Sequence, residues 1–110
     1  MVTTNSEYDY VVTPNGAKLV SYKGNEFVVV IPNSFDGVSV YALGGAFTLN
    51  KTIKKLIISD SVKVIESAAM QNCINLEEVD IGNSVTTIFD FAFYECSKLI
   101  NFDVLKITFS

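Results

Sequence analysis

The sequence predicts a single-domain α/β repeat solenoid, mostly β, in which short coils stack behind an N-terminal β-hairpin cap. Three observations carry this. The segment Ile58 to Asp80 is followed without a gap by Ile81 to Asp103, and Ile58/Ile81, Val62/Val85, Ile65/Ile88, Ala69/Ala92, Cys73/Cys96 and Leu76/Leu99 recur at a constant offset of 23. The recurring positions are mainly small or apolar, the pattern left when one unit stacks on a copy of itself and buries the same side chains each time. The residues ahead of the repeat are instead β-prone runs broken by turn residues.

Residues 1–30 form the expected cap. Tyr8 to Val12, Lys18 to Tyr22 and Phe27 to Ile31 are separated by Pro14-Asn15-Gly16 and Lys23-Gly24-Asn25-Glu26. These separators hold residues that preset a turn or tolerate positive φ, so the segment reads as a meander of hairpins. A first coil left bare would expose an apolar end and unpaired strand edges, which is why terminal units of solenoids are atypical.

Residues 31–103 divide into coils 31–57, 58–80 and 81–103, with 104–110 as a C-terminal strand. Ile53, Leu76 and Leu99 align, as do Leu56, Val79 and Phe102, and Ile58, Ile81 and Val104. Ala46, Ala69 and Ala92 each precede a bulky residue, Phe47, Met70 and Phe93, so a tight contact alternates with a side chain that fills the interior. Each coil is expected to hold a strand at Lys54 to Ile58, Glu77 to Ile81 or Ile100 to Val104. A second extended run at Val62 to Ile65 or Val85 to Ile88 and a helical turn around Ala69 or Ala92 follow. The first coil is irregular, with an insertion at Ser34-Phe35-Asp36-Gly37 and a deletion near Gly44-Gly45, both beside glycine where the backbone adapts.

Composition excludes several functions. The 110 residues carry a formal charge of −4, every basic residue is Lys, and there is no Arg, His or Trp. An acidic chain without Arg is a poor nucleic-acid binder. Lack of His removes the commonest general base and transition-metal ligand. The first ten residues have neither a basic start nor an apolar run, so they do not form a signal peptide. No apolar stretch approaches the roughly 18 residues of a membrane-spanning helix.

Ile31-Pro32 leading through Asp36-Gly37 to Val40, then Ala46-Phe47, and the recurring Ser-Val-x-x-Ile-x-x-x-Ala-(Phe/Met)-x-x-Cys-x-x-Leu-x-x-(Val/Phe)-x-Ile resemble BspA-like leucine-rich repeats. Tyr10, Tyr22, Gly24 and Val29-Val30-Ile31-Pro32 are similar to the β-hairpin leader before the first such repeat. The resemblance runs from about Tyr8 to Val104. Met70 departs from it by replacing an aromatic, Asn50 by occupying the Cys position, and Phe89 by standing where the family usually has Gly. The resemblance implies a non-enzymatic interaction module of the kind found in surface and adhesion proteins, placed outside the cell or on its surface.

Cys73 and Cys96 lie one period apart, within reach of a disulfide. The reading taken is reduced core thiols, since Cys is among the most buried residue types and the resemblance implies a ladder of inward thiols. No metal or cofactor site is expected, because two thiols without His make a poor metal site. Glu77, Glu78, Asp80, Asp90 and Glu95 lack the facing geometry of acid–base catalysis and the dense alternation of a calcium loop. On the strand face Lys54 is expected to meet Glu77, and Lys55 to meet Glu78. Asp80 and Asp103 form a candidate acidic spot.

The best functional clue is aromatic. Phe89, Phe91 and Tyr94 replace Glu66, Ala68 and Gln71 of the preceding coil, at positions outside the buried set. The rings either fold over the coil end or form a contact patch, since surface aromatics mark interfaces. The run from Phe102 to Ser110 is β-prone and has no polar capping unit after it. These features point to a protein partner or self-association through the C-terminal end. The alternative is a small structural subunit of a larger assembly such as a virion or phage appendage.

Overall fold

The computed structural model describes residues 2–4, 7–100 and 108–109. The chain forms a β-solenoid of about three turns, walled by two sheets and closed by stacked turns. The N-terminal strands are β1 (Val2–Thr4), β2 (Tyr8–Thr13) and β3 (Gly16–Tyr22). They pair antiparallel in sequence order, β2 and β3 through a turn at Pro14-Asn15. Gly16 leaves that turn at φ 128°, and a side chain there would meet the Ser39 carbonyl at 2.5 Å, so both backbone and space require glycine.

The third β-prone run departs from the meander. It becomes β4 (Val28–Val30), which pairs parallel with β7 (Lys55–Ile57) and, through it, aligns with β9 (Glu78–Asp80). The physical reason is register. Val29 is the one inward side chain of Val28-Val29-Val30, and it stacks on Leu56 and Val79 to continue a buried apolar row. Between β4 and β7 lie the short β5 (Ser34–Phe35) and β6 (Val38–Leu43), a hairpin built from the inserted residues with Asp36 and Gly37 at positive φ.

The second sheet runs β1-β2-β3-β6, then β8 (Val64–Ile65), β10 (Thr87–Ile88) and β11 (Thr108–Phe109). From β3 onward its rungs are parallel, as expected where the chain returns once per coil. The core strands of the coils fall inside the expected extended runs, at Lys55–Ile57, Glu78–Asp80, Val64–Ile65 and Thr87–Ile88. The proposed run Ile100 to Val104 passes outside the described residues after Ile100.

The expected helical turns are absent, and no helix occurs among the described residues. The arcs around Ala69 and Ala92 are successive tight turns instead. Ala69, Gln71, Cys73 and Leu76 each donate an N–H three residues back, as do Ala92, Tyr94, Cys96 and Leu99 one coil later. Helix propagation is blocked by left-handed corners, with φ 63° at both Ala68 and Phe91 and φ 65°, 59° and 61° at Leu49, Asn72 and Glu95. Carbonyls freed from helical bonding serve the neighbouring coil. Phe47 and Met70 donate to the Ala69 and Ala92 carbonyls at 3.1 and 2.7 Å, and Leu49 and Asn72 donate to those of Gln71 and Tyr94.

Inside the coil, Leu19, Ile31, Leu43, Phe47, Ile53, Leu56, Ile65, Met70, Leu76 and Ile88 are almost wholly buried. At the N-terminal end an aromatic group closes the stack. Tyr10 lies against Phe35 with ring centroids 4.6 Å apart, Tyr8 and Tyr22 at 5.4 Å, and Tyr22 and Phe47 at 5.0 Å.

Candidate functional site

The aromatic site grows from the third arc. Phe89 follows β10 directly, and its N–H is held by the Ile65 carbonyl at 2.9 Å while its own carbonyl accepts from Ala92. Those bonds fix the corner, and the left-handed φ of Phe91 turns the chain there. Ala92 is buried and Phe93 packs against the core, leaving Phe89, Phe91 and Tyr94 exposed by 40%, 62% and 48%. Phe91 and Tyr94 meet edge to face, with ring centroids 5.3 Å apart and planes at 81°, a favoured aromatic arrangement. Together with Ile88, Asp90, Ala92 and Phe93, the three rings line an apolar depression of about 280 Å³. Asp90, on that lining, and Glu95, next to Tyr94 in the sequence, are both exposed.

Asp80 is exposed at the end of β9 and belongs to a different concavity. That groove, about 490 Å³, follows the ends of β4, β7 and β9 and shares no lining residue with the aromatic depression. Its polar lining includes Ser59, whose hydroxyl donates to the Pro32 carbonyl at 3.1 Å, and Asp60, which accepts from the Asn83 N–H at 2.9 Å. Sequence reasoning overlooked Asp60 and Ser59. The available signal was their place just after the strand, where chain reversal exposes backbone polar groups. Asp103, the other residue of the acidic spot, lies outside the described residues.

On the strand face Lys55 meets Glu78 at 3.2 Å, as expected. Lys54 behaves differently, its ammonium lying 5.0 Å from the centre of the Phe27 ring. The cause is β4, which adds a rung beside β7 and puts an aromatic face next to Lys54; an exposed cation–π contact of this kind contributes about 0.5–1 kcal/mol.

Cys73 and Cys96 are free thiols. Cys73 Sγ donates to the Phe47 carbonyl at 2.9 Å and Cys96 Sγ to that of Met70 at 3.0 Å, so each thiol binds the preceding arc. The Cys96 thiol beside it, together with burial, holds Cys73 well above the ordinary thiol range. Asn50 fills the same position in the first coil, its side-chain oxygen accepting from the Thr52 and Ile53 N–H groups at 2.8 and 2.9 Å. Among the described residues no group of three or more Cys, Asp or Glu converges as a metal site, and no helix is long and apolar enough to cross a membrane.

Coils closed by small-residue arcs, inward thiols and a parallel rung per turn define a leucine-rich-repeat solenoid. The chain belongs to the BspA type leucine rich repeat family, whose six-copy model matches residues 28–108. A leucine rich cell surface protein from Faecalibacterium prausnitzii is similar, at 29% identity and a TM-score of 0.87 over 99% of this chain and 32% of that one. The T. pallidum leucine rich repeat protein is 25% identical, with a TM-score of 0.82 over 90% of this chain and 48% of its own. A leucine-rich repeat protein from Bacteroides capillosus shares the fold, with a TM-score of 0.80 at 22% identity over 97% of this chain and 87% of that one. The chain thus spans about half of the T. pallidum protein and about a third of the F. prausnitzii protein. No curated protein matches it.

Proposed function

We propose that the chain is a non-enzymatic protein-interaction module whose main contact surface is the Phe89, Phe91 and Tyr94 cluster. The observation that carries this is the combination of three exposed rings with the depression they line. Rings held on a hydrogen-bonded corner lose little conformational freedom on binding, which favours affinity. The same corner carries Glu66, Ala68 and Gln71 one coil earlier, so the fold tolerates small or polar residues there. Asp90 and Glu95 favour a partner that brings an apolar or cationic side chain to the rings. Membership of the BspA type leucine rich repeat family and similarity to a leucine rich cell surface protein of F. prausnitzii support the reading of a presented surface. The groove beside Asp80 at the strand ends is a secondary contact, and Asp103, one repeat after Asp80 in the sequence, belongs to the same proposal.

The test places a photo-crosslinking amino acid at Tyr94, and in a separate protein at the exposed Lys63, and exposes both to cells of the native source. The expected result is a discrete crosslinked protein from position 94 only, lost on Phe91→Ala with unchanged thermal melting. Equal crosslinking from position 63, or a Phe91→Ala protein that crosslinks undiminished, refutes the assignment.

A further inference from the structure

The hairpin cap protects one sheet and leaves the other open. β1, β2 and β3 extend the larger sheet past its first rung, whereas the three-stranded sheet simply begins with β4. The Phe27 carbonyl accepts from Lys54 and Lys55, and Ile31 donates to the Ile57 carbonyl at 2.8 Å, so Phe27, Val29 and Ile31 address β7. By strand alternation the N–H and C=O groups of Val28 and Val30 point the other way, where no further strand lies among the described residues. Phe27, Val28 and Val30 are also exposed by 60%, 50% and 57%.

We propose that two copies of this chain pair antiparallel through β4, about a two-fold axis at Val29, to form one continuous sheet. The segment is self-complementary about that residue. Val28 of one copy stands opposite Val30 of the other, Phe27 opposite Ile31, Glu26 opposite Pro32, and Asn25 opposite Asn33. Glu26 is the one charged residue from Asn25 to Asn33, and it meets a proline, so no like charges face each other across the seam. The outward backbone groups of Val28 and Val30 fall at the hydrogen-bonded pair positions of this register, and Val29 falls at the non-bonded pair position, where inward packing is undisturbed. Val28 and Val30 of both copies then form one apolar strip on the outward face, continued by Ile57.

Strand β4 is short, but the other devices that commonly block edge pairing are missing here. Residues 27–31 contain no Lys and no Pro, and the β4–β7 register carries no bulge, unlike the shifted pairings of β2 with β3 and β3 with β6. A partner recognised by charge would find little on this edge, whereas a second copy supplies both the matching backbone groups and the matching apolar residues.

The test is sedimentation equilibrium of the whole chain from about 10 µM to about 1 mM, the range that resolves a short-edge dimer. Two variants accompany it, Val28→Lys with Val30→Lys, and Val28→Glu with Val30→Glu. Wild-type mass should rise from 12.1 kDa towards twice that value. Each charged variant should stay monomeric, its dissociation constant raised at least about tenfold, and an equimolar mixture should form a heterodimer because residue 28 faces residue 30. Amide exchange in the wild type reads the same seam without mutation, with protection at Val28 and Val30 rising with concentration. A wild type that stays monomeric throughout overturns the proposal. So does a dimer that persists in both charged variants, or one lost on Phe91→Ala with Tyr94→Ala.

Discussion

Leu49 should be replaceable by glycine with a gain in stability. Its φ of 65° lies in the left-handed region, as do those of Asn72 and Glu95 at the same corner one and two coils on. An L-residue there carries a steric cost of roughly 1–2 kcal/mol, which glycine lacks. Glycine brings its own entropic cost of roughly 0.5–1 kcal/mol. Leu49 is 61% exposed, so deleting its side chain removes little buried area. The corner is also held by its Leu49 N–H bond to the Gln71 carbonyl at 2.8 Å, which glycine retains. The net gain is about 0.5–1 kcal/mol, or about 2–4 °C in Tm for a domain of this size. The assay is reversible thermal and urea unfolding of Leu49→Gly, with Glu95→Gly as a second case and Lys51→Gly as control. Lys51 is exposed and has no positive φ, so glycine there should destabilise by its entropic cost alone. If Leu49→Gly lowers stability as much as Lys51→Gly does, the corner is not strained and the reasoning fails.

Other consequences are direct. A Cβ on Gly82 would lie 2.5 Å from the Ser59 carbonyl and 2.7 Å from that of Ile58, both backbone atoms, so Gly82→Ala should destabilise by about 1–3 kcal/mol in urea unfolding. Burial, then the Glu7 charge, pushes the Tyr8 phenol up to about 12, and a hydrogen bond to Asp36 raises Tyr10. Unfolding frees both phenols to ionise near their ordinary value of about 10, so stability should hold below about pH 10 and fall as pH rises towards 12. An alkaline titration followed by circular dichroism, shallower in Tyr8→Phe, checks this. Cys73 is fully buried with its thiol pushed up, so a water-soluble thiol reagent should modify it only at the rate of unfolding, as peptide mapping after timed labelling would show.

The repeat was legible because burial repeats. Ile53, Leu56, Ile65, Ala69, Met70 and Leu76 are inward side chains whose spacing depends on the coil, and stacking makes that spacing visible as a period. The helical turns were misread because Ala69-Met70 and Ala92-Phe93 look helix-forming locally, while the left-handed corners at Leu49 and Asn72 aim their N–H groups at the Gln71 and Tyr94 carbonyls of the next coil. No local propensity encodes those bonds. Phe27 to Ile31 was recognised as extended, but its partner was not, because pairing with Lys55–Ile57 rather than with the preceding run is decided by the inward stack of Val29 on Leu56. At the candidate site, the exposure of Phe89, Phe91 and Tyr94 could be anticipated from alignment with Glu66, Ala68 and Gln71. The edge-to-face packing of Phe91 on Tyr94, and the separation of Asp80 from the rings, depend on three-dimensional placement.

The arrangement separates stability from surface chemistry, and this is what suits a repeat coil to binding. Glu66 donates its N–H to the Leu43 carbonyl at 2.8 Å, and Phe89 makes the equivalent bond to Ile65 at 2.9 Å, although one side chain is an acid and the other an aromatic ring. The backbone bond and the buried Ala three residues on are kept, and the outward side chain is left to vary. Neighbouring coils can therefore carry different outward residues without disturbing the stack. The same logic explains the two ends of the first coil. Covering an apolar end requires only bulky side chains, and Tyr8, Tyr10, Tyr22 and Phe35 supply them. Satisfying a sheet edge requires another strand, which the hairpin supplies to the larger sheet alone. A single hairpin cannot lie along two sheets that form different walls of a coil, so among the described residues β4 keeps a free edge as a geometric consequence of how the stack is capped.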